Sequence, residues 1–299
     1  MPELKHRGCP PGDDAAEPLI KLEGVSYAYP RNGAWALKDI SLEIEEGEFL
    51  AVMGENGAGK TTFCKLFNGA IPYSEGGKLL GTVRVDGVVT ADSSMAVLTS
   101  RVGMVLDDPE IQLFTASVRD EAAFGPENLL MAPAEIEERV RLALETTGLS
   151  GYADSSPASL SGGQKQRLAI AAALALANRV LTLDEPTSQL DPQGAWDVLS
   201  LIWRIREQRR LTVIMATHNS EEAAEFADRV CVLKNGSVAA CDTPRVIFSN
   251  RDLLRDNWIR PPDVSELARY LDERGKPLPF FPVLPEEAKA AVIEWYRNG

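Results

Sequence analysis

The chain has 299 residues, 44% of them apolar, and its 31 basic and 44 acidic side chains give a formal charge of −13. That length suits one large domain plus a small appendage, and the acidic excess argues against nonspecific binding to nucleic acid, which needs a basic surface. The longest apolar run, Leu168 to Ala177, is well short of the about 20 residues of a bilayer span, so any membrane role is expected to come through a partner.

Residues 1–18 are polar, without the apolar core of a secretory signal, and are expected to form a disordered leader. His6 and Cys9 within them are not expected to make a metal site. Cys9, Cys64, Cys231 and Cys241 form no CxxC pair and are expected to be reduced, structural thiols. From Leu19, two alternating stretches, IKLEGVSYAY and WALKDISLEIEEG, read as antiparallel strands joined by a turn at Arg31-Asn32-Gly33. Phe49 to Met53 is a short apolar strand, and Thr62 to Asn68 reads as a helix. A strand and turn are expected over 81–87, and a buried strand over 101–106.

From Ser117 to Thr147 the pattern turns helical, with Ile136, Val140, Leu144 and Thr147 at a 3–4 spacing and Pro133 near a helix start. This block interrupts a strand–helix alternation that resumes with buried strands at Val180–Leu183 and Leu211–Ala216. Such alternation means a mainly parallel sheet with helices on its faces. Prolines punctuate residues 251–299, where two amphipathic helices are expected to dock as an appendage, the last burying Ala288, Val292, Trp295 and Tyr296. The fold class is therefore α/β. It comprises a mainly parallel core sheet, an antiparallel β subdomain, a helical subdomain inserted at about 107–164 and a C-terminal helical appendage over 251–299, with the main domain spanning 19–250.

Between the strand at 49–53 and the following helix stands Gly54-Glu-Asn-Gly57-Ala-Gly59-Lys60-Thr61, which fits the phosphate-loop pattern of P-loop NTPases. Glycines let successive N–H groups turn inward around a phosphate at a helix N-terminus. Lys60 is expected on the β- and γ-phosphates of ATP, and the Thr61 hydroxyl on Mg²⁺. Asp184 and Glu185 end an apolar strand, where ligands of such sheets bind. Asp184 is expected to hold Mg²⁺ through water, and Glu185 to orient and polarise the attacking water.

Leu160-Ser161-Gly162-Gly163-Gln164 resembles the signature motif of ATP-binding cassette ATPases, Pro186 to Asp191 resembles their D-loop, and His218 in ATHN resembles their switch histidine. The likeness covers about Leu19 to Phe248. It implies that Tyr29 stacks on adenine and that Asn56, Gly57, Gly59, Lys60, Thr61 and Thr62 line the nucleotide. It implies a dimer, in which Ser161, Gly162, Gly163, Gln164 and Asp191 of one ATPase subunit complete the site of a second, either an identical copy or a paralogue. The signature opens a helix read over Gln164–Ala177, whose N-terminal dipole favours an anion.

Thr115 to Leu129, with DEAAFGPENL, resembles a block of the ATPase subunits of energy-coupling-factor transporters, and LLRDNWIRPPDVSELARYL resembles their C-terminal appendage. That resemblance implies an ATP-hydrolysing subunit that energises a prokaryotic importer of a vitamin or transition-metal ion, peripheral on the cytoplasmic face of the cell membrane. Its partners would be an integral membrane coupling subunit and a substrate-binding membrane subunit. Phe114, Phe124 and Leu129 become candidate contacts for helices of the membrane partner. The chain departs from the family where Asp107 in Val-Leu-Asp107-Asp-Pro replaces the glutamine that coordinates Mg²⁺, and where Asn178 replaces a common proline. Gln112 matches a second, downstream glutamine. Soluble cassette ATPases of the iron–sulfur assembly or DNA-repair type are the alternative. The former lacks the FGPEN resemblance, and the latter carries long coiled-coil insertions with heptads that are missing here.

Overall fold

The computed structural model describes residues 17–30, 33–176 and 178–298. The expected leader therefore lies almost wholly outside the described residues, as do His6, Cys9, Arg31, Asn32 and Ala177.

Strands β1 (Ile20–Ala28), β2 (Trp35–Ile44) and β3 (Phe49–Met53) lead into a Gly-rich loop and helix α1 (Lys60–Cys64). Next come β4 (Lys78–Val85), β5 (Val88–Val89), α2 (Met95–Thr99) and β6 (Val102–Val105). Four helices follow: α3 (Pro109–Gln112), α4 (Val118–Asn128), α5 (Pro133–Thr146) and α6 (Gly162–Ala175). Alternation resumes with β7 (Val180–Asp184), α7 (Pro192–Arg209), β8 (Thr212–Ala216) and α8 (Ser220–Phe226). A closing pair, β9 (Arg229–Lys234) and β10 (Ser237–Asp242), precedes α9 (Pro244–Ser249), α10 (Arg251–Asp256), α11 (Asp263–Asp272) and α12 (Pro285–Asn298).

Two sheets organise these elements. The first is antiparallel, in the order β2-β1-β4-β5. The second has six strands in the order β10-β9-β3-β8-β7-β6, all parallel except β10. Strands β3, β7 and β8 are buried along their whole length, as mostly apolar strands in a sheet covered on both faces are. In register, Val52 lies beside Ala216 and Asp184 lies beside Ala216 on the other side, so the C-terminal ends of three adjacent strands coincide. The start of β3 is fixed by Asp228, whose carboxylate accepts from Phe49 N at 2.8 Å and from Arg206 at 2.5 Å.

The helical block packs on the signature helix. Val118, Ala122, Val140, Ala143 and Leu144 are buried with Leu168, Ile170 and Ala171 in one apolar cluster. The 3–4 spacing at 136–147 corresponds to the inner face of α5, with Val140, Leu144 and Thr147 buried and Ile136 partly so. The three described cysteines are free thiols, Cys64 and Cys231 buried and Cys241 half-buried. No helix among the described residues is long and apolar enough to cross a membrane.

Four local expectations need correction. The helix read over Thr62–Asn68 is α1, which begins at Lys60 and stops at Cys64. The Asn68 side chain accepts from Ala70 N at 2.9 Å, which favours a turn over another helical repeat. The signature helix begins at Gly162, not Gln164, because Ser161 is already its cap. The C-terminal region holds three helices, not two, since Pro261 and Pro262 separate α10 from α11. Finally, Trp295 is 38% and Tyr296 82% exposed. Of the expected packing face only Ala288 is buried, joined by Ala291, where small side chains allow close approach, while Val292 is also exposed.

The appendage is nonetheless tied down. Arg269 donates to Phe248 O at 2.5 Å, Lys234 to Asp256 O at 2.7 Å, and Arg245 pairs with Glu287 at 2.5 Å. Val283 is buried in the main core.

Candidate active site

The Gly-rich loop sits between β3 and α1, at the ends of the parallel strands. Gly59 has φ +107°, and a Cβ there would stand 2.8 Å from Ala36 O and 2.9 Å from Leu37 Cδ2. At Gly54, with φ +150°, a Cβ would run into Leu233 O. Both positions admit only glycine, so the loop's path is set by the neighbouring backbone.

Lys60 is buried, and its ammonium donates to Gly54 O at 3.0 Å and Glu55 O at 3.4 Å. It lies 3.6 Å from Glu185 Oε1, bridging the loop to the end of β7. Thr61 Oγ1 donates to Asp184 Oδ1 at 3.1 Å. Burial is the largest influence on the Asp184 carboxyl and pushes it above its ordinary range; the Thr61 bond opposes this, and the charges of Asp107 and Glu185 add to it.

Glu185 adopts φ +47°, a left-handed conformation uncommon for a side chain of this kind. Its N–H donates to Ala216 O at 2.9 Å, which keeps the turn registered on β8. Its Oε2 meets His218 Nδ1 at 2.9 Å. Lys60, Thr61, Asp184, Glu185 and His218 thus form one contiguous polar cluster. Asp107, exposed at the end of β6, faces Asp184 electrostatically.

The other candidates are placed as follows. Tyr29 is half-buried, stands edge-on to Tyr27 with 4.9 Å between centroids, and its hydroxyl meets Thr62 Oγ1 at 3.0 Å. Asn56 and Gly57 are exposed at the loop crest. Ser161 and Gln164 form a reciprocal capping box on α6, with Ser161 N donating to Gln164 Oε1 at 2.8 Å. Gly162 is exposed and Gly163 half-buried beside them. Asp191 caps α7 by accepting from Gly194 N at 2.6 Å. Among the described residues, no hydrogen bond or ion pair joins residues 160–164 or 191 to the phosphate loop. Gln112 is engaged locally, accepting from Leu106 N at 3.1 Å and donating to Met104 O at 3.2 Å, which holds the end of β6 ahead of Asp107. Asn178 donates to Thr99 O at 2.7 Å, a bond that proline could not make.

Two groups near the cluster are not among the sequence candidates. Lys165 pairs with Glu110 and joins the signature helix to α3. Glu222 binds Thr187 and Thr217 between the Glu185 and His218 turns. Glu222 follows His218 by four residues, but neighbouring Glu221 looks the same in sequence, and only the helix geometry separates them.

A family model described as ABC transporter matches residues 37–188. An energy-coupling factor transporter ATP-binding protein of Symbiobacterium thermophilum is 40% identical over 289 residues, covering 94% of this chain and 99% of that protein. The solved structure of cbiO1 from Clostridium perfringens, part of the ABC transporter complex cbiONQ, is 34% identical with a TM-score of 0.71, covering 85% of this chain and 100% of that one. An ATP-binding cassette solved as a dimer in a post-hydrolysis state with ADP and Pi is 28% identical with a TM-score of 0.65, covering 76% and 99%. The chain therefore belongs to the ABC transporter family, as an ATP-binding cassette that hydrolyses ATP.

Proposed function

We propose that this ATPase is the energising subunit of a prokaryotic membrane importer of the energy-coupling-factor type, taking up a vitamin or a transition-metal ion. The observation that carries the reading is a pair of exposed aromatics on the helical block. Phe114 is 65% and Phe124 43% exposed, and their rings meet edge to face at 4.8 Å. Paired exposed rings on a block tightly packed against the signature helix suit a docking surface for membrane-partner helices. The subunit acts peripherally on the cytoplasmic face of the membrane, with one integral coupling subunit and one substrate-binding membrane subunit.

In this reading Lys60 and the loop N–H groups hold the phosphates of ATP. Tyr29 stacks on adenine beside Asn56, Gly57, Gly59 and Thr62. Glu185 polarises the attacking water, and His218 holds the Glu185 carboxylate in place. Ser161 to Gln164 and Asp191 complete the site of a second ATPase subunit. A divalent ion fits beside Asp184, because a buried carboxylate, the Thr61 hydroxyl and the Asp107 carboxylate offer only hard oxygen donors. Thr61, Asp184 and Asp107 would hold Mg²⁺ there, and the ion would supply charge neutralisation to the phosphates.

The test is Phe124→Asp. Copurification of the membrane partner should fall about tenfold or more, with ATP affinity unchanged. Equal loss of both would assign Phe124 to the core instead. Asp107→Gln gives a second test. Removing a negative charge near the γ-phosphate and lengthening the side chain should raise steady-state hydrolysis a few-fold or tighten its dependence on the membrane partner. Matching rates and matching stimulation would show that Asp107 is a tolerated substitution.

A further inference from the structure

Glu185 and His218 meet at 2.9 Å, yet neither is packed into place by its own burial: His218 is 67% exposed along its side chain and Glu185 is half-buried. Glu185 also holds a left-handed backbone conformation, which persists only when its surroundings determine it. The backbone bond of Glu185 N to Ala216 O registers the first turn on β8, and the side chains are left to be oriented by further contacts between the two turns.

Glu222, in the first turn of α8, reaches both. One carboxylate oxygen accepts from Thr187 Oγ1 at 2.8 Å, two residues after Glu185. The other accepts from Thr217 Oγ1 at 3.1 Å, immediately before His218. The carboxylate is nearly enclosed, with Glu222 only 9% exposed. Burial pushes its carboxyl above the ordinary range, and the two threonine hydroxyls work against that shift by favouring the charged form. The helix that carries it is itself anchored. Asn219 caps α8 by accepting from Glu221 N at 3.0 Å and Glu222 N at 3.3 Å, and Asn219 N donates to Thr217 Oγ1 at 3.0 Å. On its outer side, Ser220 donates to Arg260 O, and Glu221 accepts from Asp263 N at 3.2 Å, so the C-terminal appendage grips the same turn.

We propose that Glu222 is a positioning residue for ATP hydrolysis: by joining Thr187 to Thr217 it sets the spacing of Glu185 and His218 without touching nucleotide. The Glu222 carboxylate adds a side-chain link between the two turns to the backbone bond of Glu185 N to Ala216 O at 2.9 Å, so turn, strand pairing and carboxylate form one network. The proposal rests on the role given above to Glu185, so Glu185→Gln is measured alongside.

The experiment compares Glu222→Ala, Glu222→Gln, Thr187→Val and the Glu222→Ala/Thr187→Val double variant of the full chain. The readouts are kcat and KM for ATP, equilibrium ATP binding and thermal unfolding. Glu222→Ala should lower kcat roughly tenfold while KM stays within about twofold, the pattern of a group that acts on the reacting geometry and not on binding. Glu222→Gln can accept from one hydroxyl and donate to the other, and should return kcat to within about threefold of the parent. Because both single variants break the same link, the double variant should fall no further than Glu222→Ala. Parent-like kcat in Glu222→Ala, parallel loss of kcat and ATP binding, or failure of Glu222→Gln to rescue would overturn the proposal. If Glu222→Ala does not fold, Thr187→Val decides: a several-fold fall in kcat at unchanged KM supports the link, and a parent-like kcat removes it. Normal turnover by Glu185→Gln would reject the reading of the site itself. An inactive Glu185→Gln beside a fully active Glu222→Ala would reject only the role of Glu222.

Discussion

Glu185→Gln is expected to lower steady-state ATP hydrolysis by about 10² to 10⁴, the contribution typical of a positioned acid–base group, while ATP binding survives. The substitution keeps the shape of the side chain and its reach to His218, which stands 2.9 Å away. It removes the negative charge proposed to polarise water, and with it the ion pair to Lys60 at 3.6 Å. With binding retained and turnover stopped, ATP should accumulate between two subunits, so sedimentation in ATP should show a stable dimer that the parent forms only transiently. Normal turnover by the purified variant would remove Glu185 from this role.

Lys60→Ala should act on binding instead. The ammonium is buried and already engaged with Gly54 O and Glu55 O, so it is held at the mouth of the loop with little side-chain freedom left to lose. A hydrogen bond to a charged group contributes about 1.5–3 kcal/mol, which corresponds to a roughly 10- to 100-fold rise in the Kd for ATP. Calorimetric titration checks this. An unchanged Kd would mean that Lys60 does not reach the phosphates and serves only to brace its own loop.

Much of this arrangement is legible in the chain because it depends on local rules. An apolar strand followed by glycines and Lys60-Thr61 marks a strand–loop–helix unit, since positive φ at Gly54 and Gly59 and the close backbone of Ala36 and Leu233 admit no Cβ. The 140–144 spacing reports the inner face of α5. Asp184 and Glu185 follow a largely apolar run, Val180 to Leu183, so their place at a strand end is visible before any coordinates.

What the chain does not disclose depends on contacts distant in sequence. Glu222 lies 35 residues from Thr187, and no local pattern separates it from Glu221. The pairing of Lys165 with Glu110 spans 55 residues. In the appendage, apolar spacing points to Trp295 and Tyr296, but the buried positions of α12 are Ala288 and Ala291, because what α12 packs against is not encoded within the helix itself. The early end of α1 is different, because the turn in which Asn68 accepts from Ala70 N is a local feature.

The most direct test of the account is ATP hydrolysis by the tagged chain after extraction from membranes. The parent should copurify with integral membrane proteins, and that complex should turn over ATP in the presence of Mg²⁺. Glu185→Gln should bring down the same proteins without turnover. A parent chain recovered without any integral membrane protein while its hydrolysis is undiminished, or a membrane complex whose hydrolysis is the same for both versions, would contradict it.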